Sequence, residues 1–140
     1  MAEFIEKWND KDSVNFIRKG LIKYNASCLP DEIKSPLDQF SLLIRDTEGY
    51  PFGGVTGTIF WQHLHIDFLW VDIEYRGKGY GSQLLKKAER VAKDKHCRII
   101  LLDTFSFQAP DFYKKHGYVE YGIIQDHPKG FSQHFFQKRL

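Results

Sequence analysis

The sequence predicts an α/β fold of the α+β type, with one domain over residues 1–140 and a mixed central sheet flanked by helices. Three observations support this prediction. Patterned segments follow in the order helix, three strands, helix, strand, helix, two strands. Residues 81–95 place their apolar side chains on one helical face. Residues 98–103 form an apolar run that is typical of a buried strand lying parallel to its predecessor.

The first helix and the strands after it are placed by capping and turn signals. Asp12 or Ser13 can cap a helix that ends before Pro30. Turns at 46–49 and 62–63 separate three segments with strand character. Glycines in the second of these segments indicate bulges or close backbone approach. The three strands are expected to form an antiparallel meander and cover residues 40–45, 53–61 and 64–71.

The second half of the chain adds two helices and three strands. Pro110 suits the first turn of a short helix over residues 109–116, and Gly117 suits its C-terminal cap. A turn region at 126–130 separates the last two strands. Besides the run at 98–103, the expected elements are a helix over 81–95 and strands over 118–124 and 134–139.

Composition limits the classes of function. The chain has 140 residues, of which 42% are hydrophobic, and this suits a domain with a real core. A net charge of +2 does not argue for a nucleic-acid partner. Cys28 and Cys97 lie far apart, which favours a reduced protein over a disulfide scaffold or a metal site. Because no signal peptide or membrane span is evident, we expect a cytoplasmic protein with no membrane partner.

A glycine-rich loop is the strongest functional signal. Glycines occupy every second position in Arg76-Gly77-Lys78-Gly79-Tyr80-Gly81-Ser82, between a predicted strand and a predicted helix. Successive backbone N–H groups and the helix N-terminus can hold an anion, and glycine lets a phosphate approach without meeting a Cβ atom. A plain tight turn before a helix is the alternative.

Two common phosphate motifs do not match this loop. A Walker A loop requires Gly-Lys followed by Ser or Thr, whereas Gly79 follows Lys78 here. A dinucleotide-binding loop requires Gly-x-Gly-x-x-Gly, and the glycine spacing differs. Asp103 lies at about the distance of that motif's ribose-binding acid, but the antiparallel meander does not fit a doubly wound sheet.

Two linked motifs resemble those of the GNAT superfamily of N-acetyltransferases. Arg76-x-x-Gly79-x-Gly81 resembles its acyl-coenzyme A signature. Ala109-x-x-Phe112-Tyr113-x-x-x-Gly117-Tyr118 resembles its later motif, a short helix with an aromatic pair followed by a strand. The resemblance covers residues 40–140 and implies a sheet with one splayed pair of strands.

The resemblance also implies that acetyl-CoA is the co-substrate. No set of His, Cys and Asp residues has metal-ligand spacing, so no metal is expected. The pyrophosphate would lie on the loop amides, and pantetheine would pair with the edge of the strand before the loop. Many family members have an Asn where this chain has Ser106, so Ser106 or Gln108 is expected to supply that polar contact; capping of the short helix is the alternative. The expected coenzyme-binding residues are Leu69, Trp70, Val71, Arg76, Gly77, Lys78, Gly79, Tyr80, Gly81, Ser82, Ser106 and Gln108.

Three residues are candidates for catalysis. The resemblance implies that Tyr113 protonates the departing thiolate; a purely structural core aromatic is the alternative. His65 and Asp67 are candidates for the base, because alternation in a strand puts them on one face with Leu69 and Val71. A solvated role is the alternative for each of them.

The predicted function is an acetyl-CoA-dependent N-acetyltransferase, in which a primary amine attacks the thioester directly in a ternary complex. The alternative is a non-catalytic acyl-CoA sensor or interaction module with the same fold. The acceptor is expected to be a small-molecule amine, and a protein amine is the alternative. Exposed strands near the C-terminus also favour a homodimer.

Overall fold

A six-stranded sheet organises residues 35–140 of the computed structural model, which describes the chain from Met1 to Leu140. The strand order is β1-β2-β3-β4-β6-β5, and only the β3–β4 pair is parallel. The prediction of a mixed sheet is therefore confirmed. The strands are β1 (Asp38–Arg45), β2 (Pro51–Phe60), β3 (His63–Val71), β4 (Ile99–Phe105), β5 (Val119–Gln125) and β6 (Ser132–Arg139).

Two helices accompany this sheet, α2 (Tyr80–Asp94) and α3 (Pro110–Lys115). A 3₁₀ turn over Ile73–Tyr75, which the sequence did not predict, joins β3 to the glycine loop. It forms because the Asp72 carboxylate accepts a hydrogen bond from the backbone N–H of Glu74 at 3.2 Å.

The core lies between the sheet and α2. The apolar side of α2 buries Leu84, Leu85 and Ala88, each at most 1% exposed, as its periodicity predicts. Ile100 and Phe136 are fully buried on the facing strands. This packing fixes the start of α2, and with it the glycine loop, against the sheet.

Glycines in β2 allow the neighbouring strands to approach closely. A Cβ atom on Gly54 would lie 2.5 Å from the Leu42 carbonyl oxygen, and one on Gly57 would lie 2.5 Å from the Phe40 ring. The predicted close approach is therefore confirmed.

The parallel pair separates after three residues. His63–His65 pair with Ile99–Leu101, and no pairing between β3 and β4 continues beyond them. The remaining parts of both strands diverge, so that residues 66–71 present an edge with no partner on β4. This is the splayed pair that the resemblance implied, and it opens the sheet at its centre.

A β-bulge interrupts β3 next to this opening. Thr56 pairs with Phe68 but Gly57 pairs with Ile66, so Asp67 is one extra residue relative to β2. A bulge of this kind shifts the alternation of side chains by one step. Residues before and after Asp67 therefore cannot be assigned to faces by simple counting.

Residues 1–34 form a separate compact unit with one helix, α1 (Lys11–Cys28). Its cap is Asp10, whose carboxylate accepts a hydrogen bond from the Ser13 backbone N–H at 3.2 Å. The predicted caps, Asp12 and Ser13, are wrong because Asp10 already satisfies the first turn. No helix in the structure is both long and apolar enough to cross a membrane. One domain over 1–140, a cytoplasmic location and a homodimer stay predictions.

Candidate active site

A cleft of about 580 Å³ opens where β3 and β4 separate. The end of β3, the glycine loop and the segment from Phe107 to Tyr113 surround it. Predicted coenzyme residues that line it are Leu69, Trp70, Val71, Arg76, Gly77, Gly79, Tyr80, Gly81, Ser82 and Gln108. Lys78 and Ser106 are not among the lining residues.

The glycine loop has the backbone geometry of an anion site. Gly77 and Gly79 adopt left-handed φ angles of 76° and 86°, which residues with a Cβ atom rarely adopt. Apart from their chain neighbours, no atom lies within 4 Å of where their Cβ atoms would be. Gly79 caps α2, and no side chain bonds to the helix start. The N-terminus of α2 is thus left available to a negatively charged group.

Aromatic packing and one hydrogen bond hold the glycine loop in place. The Arg76 Nε–H donates to the Val71 carbonyl oxygen at 2.9 Å, which ties the loop to the end of β3. The rings of Phe52 and Tyr75 stack with centroids 4.0 Å apart, and Tyr80 meets Phe52 edge-on. Lys78 lies outside the cleft, with its ammonium 5.7 Å from the centre of the Tyr75 ring.

Ser82 connects the loop to α3. Its hydroxyl is 2.9 Å from His116 Nε2, just beyond the C-terminal end of α3. A Cβ atom on Gly81 would lie 3.5 Å from the Phe112 ring, so the start of α2 also packs on α3. These contacts couple the glycine loop to the helix that carries Tyr113.

Tyr113 is both a core residue and a wall of the cleft. It is 7% exposed, and its ring lies 5.1 Å from that of Phe112 and 6.0 Å from that of Phe136. Burial and the nearby charge of Asp103 raise the pKa of Tyr113 to about 12. The phenol therefore keeps its proton at neutral pH and can donate a hydrogen bond to a negatively charged atom.

The polar residues before α3 hold a turn. Gln108 Oε1 accepts a hydrogen bond from the Phe105 backbone N–H at 2.8 Å, although Gln108 also lines the cleft. The Ser106 hydroxyl accepts one from the Ser132 backbone N–H at 3.0 Å, which joins this turn to β6. No side chain caps α3 at Ala109. A coenzyme contact stays a prediction for Ser106 and Gln108.

The two predicted base candidates lie together, but not for the predicted reason. His65 Nδ1 is 2.8 Å from Asp67 Oδ1, and the Thr58 hydroxyl donates to Asp67 Oδ2 at 2.6 Å. The expectation that His65 lies on the same face as Leu69 and Val71 is wrong. His65 pairs with Thr58, whereas Leu69 and Val71 pack on the core, because the bulge at Asp67 inverts the alternation.

Asp103 lies next to this pair and was not among the predicted catalytic or coenzyme-binding residues. His65 pairs with Leu101, so alternation places Asp103 on the same face of β4. Its Oδ1 lies 4.0 Å from His65 Nε2, and its Oδ2 accepts a hydrogen bond from Gln133 Nε2 at 2.8 Å. The acid at the end of the run 98–103 was a signal that could have found it. No group of three or more His, Cys, Asp or Glu residues is arranged to hold a metal ion.

Comparisons with known proteins agree with this geometry. Residues 3–118 match the model of the acetyltransferase (GNAT) family. Blasticidin-S acetyltransferase from Streptomyces morookaense is 39% identical over 106 residues, which is 75% of this chain and 78% of that protein.

Solved structures extend the likeness to the fold. The crystal structure of an acetyltransferase from Bacillus cereus ATCC 14579 is 58% identical, with a TM-score of 0.93 over 99% of this chain and 98% of that one. An acetyltransferase from Bacillus anthracis, solved in complex with acetyl coenzyme A, shares the fold at 22% identity. Its TM-score is 0.66 over 77% of this chain and 65% of that one.

Proposed function

Since the chain belongs to the acetyltransferase (GNAT) family, we propose that it transfers the acetyl group of acetyl-CoA to a primary amine by direct attack. The observation that carries the proposal is the cleft itself. It has an anion site at one end, Tyr113 in its wall and an unpaired strand edge beside it.

Acetyl-CoA, the acetyl donor, would be bound by backbone groups more than by side chains. The pyrophosphate would lie on the amides at the start of α2, where the helix dipole favours negative charge. Pantetheine carries amides and would extend along residues 66–71, whose edge has no partner on β4. A backbone N–H near Leu69 or Trp70 would donate to the acetyl carbonyl oxygen, an interaction typically worth about 3 kcal/mol in the transition state.

Tyr113 would stabilise the leaving group. Its pKa of about 12 lies above that of a simple thiol, about 8.5. Complete proton transfer to a free thiolate is therefore unfavourable. The phenol acts by donating a hydrogen bond to the sulfur while negative charge develops on it.

The base would be His65, held by Asp67. If His65 Nδ1–H donates to Asp67 Oδ1, the Nε2 lone pair is free to accept a proton. Asp67 already accepts a second bond from Thr58, so its carboxylate is used for holding the ring. Of the two candidates, this geometry favours His65 as the base and Asp67 as the positioning residue.

The acceptor would be a small molecule. The name of the Streptomyces morookaense relative describes acetylation of blasticidin-S, and that protein matches three quarters of this chain. The cluster at His65 is reached from solvent, since the side chains of His65 and Asp67 are 38% and 32% exposed. A protein amine is an outcome that the test below can distinguish.

The proposal is tested by following thiol release from acetyl-CoA in the presence of small amines and lysine-containing peptides. We expect release with at least one small amine, and a drop in kcat of about tenfold or more in Tyr113→Phe because a hydrogen bond to developing charge is lost. Tyr50→Phe is the control, since Tyr50 is 67% exposed and does not line the cleft. Tight coenzyme binding without release for any amine would instead support a non-catalytic sensor.

A further inference from the structure

We propose that Asp103 binds the ammonium group of the acceptor and makes the enzyme selective for amines that arrive protonated. The inference rests on the proposed function and deepens it. The substrate class that we infer for the enzyme is the primary alkylamine, which is charged at pH 7, as opposed to amines that are neutral at this pH.

The first support is the space between Asp103 and His65. Their nearest atoms, Oδ1 and Nε2, are 4.0 Å apart, which is too far for a direct hydrogen bond. A nitrogen between them can lie about 2.8 Å from each, the usual length of a charge-assisted hydrogen bond. An ammonium group placed there donates one proton to the carboxylate and presents another to His65.

The second support is the charge of the surrounding groups. Every neighbouring strand contributes to this face: Thr58 from β2, His65 and Asp67 from β3, and Gln133 from β6. Thr58 and Gln133 are neutral hydrogen-bond donors to the two carboxylates. With His65 neutral, the cluster carries two negative charges, and a cationic ligand reduces their mutual repulsion.

The third support is that Asp103 is related to both proposed catalytic groups. Its charge contributes to the raised pKa of Tyr113, the proposed hydrogen-bond donor to the sulfur. Gln133 holds the other oxygen of the carboxylate, so that Oδ1 stays directed at His65. An ammonium bound by Asp103 therefore lies beside the proposed base, His65.

The chemical step balances with these groups alone. R–NH₃⁺ gives one proton to His65 Nε2, and Asp67 stabilises the resulting imidazolium. The neutral amine attacks the thioester carbon, so the C–N bond forms and the C–S bond breaks. The second proton of the nitrogen passes to the departing thiolate, which becomes coenzyme A, and His65 returns the first proton to solvent.

A matched pair of ligands tests the proposal without relying on turnover. n-Butylammonium and O-propylhydroxylamine have the same number of heavy atoms, but only the first is charged at pH 7. Each is titrated into the ¹⁵N-labelled protein loaded with coenzyme A, and the side-chain amide of Gln133, which contacts Asp103, is the reporter.

In the wild type we expect n-butylammonium to shift the Gln133 amide and to bind at least tenfold more tightly than O-propylhydroxylamine. In Asp103→Asn this preference falls below threefold, while coenzyme affinity is unchanged. Asp94→Asn, the same change at the far end of α2, is the control and keeps the preference. Equal binding of the two ligands in the wild type, or an unchanged preference in Asp103→Asn, overturns the proposal.

Kinetics separate this inference from the proposed function. For the best alkylamine found by thiol release, Asp103→Asn is expected to raise KM at least tenfold with kcat changed less than threefold. A large drop in kcat with unchanged KM contradicts an ammonium-binding role. Absence of thiol release from the wild type refutes the proposed function, and the titration still decides whether Asp103 binds ammonium.

Discussion

In the proposed active site, the coenzyme end is the cleft and the acceptor end is the cluster at His65, and the two are built from different parts of the chain. At the coenzyme end, the left-handed glycines and the start of α2 present backbone N–H groups. At the acceptor end, three side chains from two strands meet, His65, Asp67 and Asp103. A backbone site tolerates many side-chain changes but not a change of conformation, whereas a side-chain site depends on each residue. Single substitutions should therefore act differently at the two ends.

The largest effect is expected at the acceptor end. His65→Ala removes the proposed base. General-base catalysis typically accelerates a reaction by about 10²- to 10⁴-fold, so kcat should decrease by a factor in that range. Acetyl-CoA binding should be unchanged. Steady-state kinetics with and without added imidazole measure both properties, and partial rescue by imidazole is expected. A decrease in kcat of less than threefold would show that another residue acts as the base.

The next effect is expected at the coenzyme end and concerns binding. Gly79→Val places a branched side chain at a φ of 86° and at the proposed phosphate position, so coenzyme A affinity should drop at least 100-fold by calorimetry. Gly49→Val is a matched control, because Gly49 has a φ of 90° and open space around it in a turn outside the cleft. It should lose stability without losing affinity. Equal affinity of the two variants would contradict the anion site.

The smallest effect is expected where a side chain supports the backbone site. Ser82→Ala removes the contact with His116 Nε2 but leaves the Ser82 backbone N–H in place. We expect a loss of about 1 kcal/mol in the free energy of unfolding and coenzyme affinity within threefold of wild type. Chemical denaturation of Ser82→Ala, His116→Ala and the double variant measures the coupling. An affinity loss above tenfold in Ser82→Ala would show that the hydroxyl binds coenzyme directly.

The elements and the splayed sheet could be predicted because their signals are local or carried by linked motifs. The apolar face of α2 follows from its helical periodicity, and the strand β4 follows from a continuous apolar run. The cap of α1 was misplaced because Asp10, Asp12 and Ser13 are all good caps, and only the folded chain selects among them.

The acceptor cluster was only half predictable. His65 and Asp67 were found as a pair, yet their assignment to the face of Leu69 and Val71 failed at the bulge. One extra residue in a strand inverts every later side chain, and no local signal in residues 63–71 marks it. Asp103 was missed as an acceptor residue because its relation to His65 depends on the register of two strands that are distant in sequence.

Residue types at fixed short spacings are enough to predict the glycine loop, the aromatic motif around Tyr113 and the order of the elements. Which side chains meet across the open sheet depends on how the chain packs. Strand register, the bulge at Asp67 and the separation of β3 from β4 arise from packing between remote segments. Those long-range contacts place Asp103 4.0 Å from His65 and create the site proposed for the acceptor.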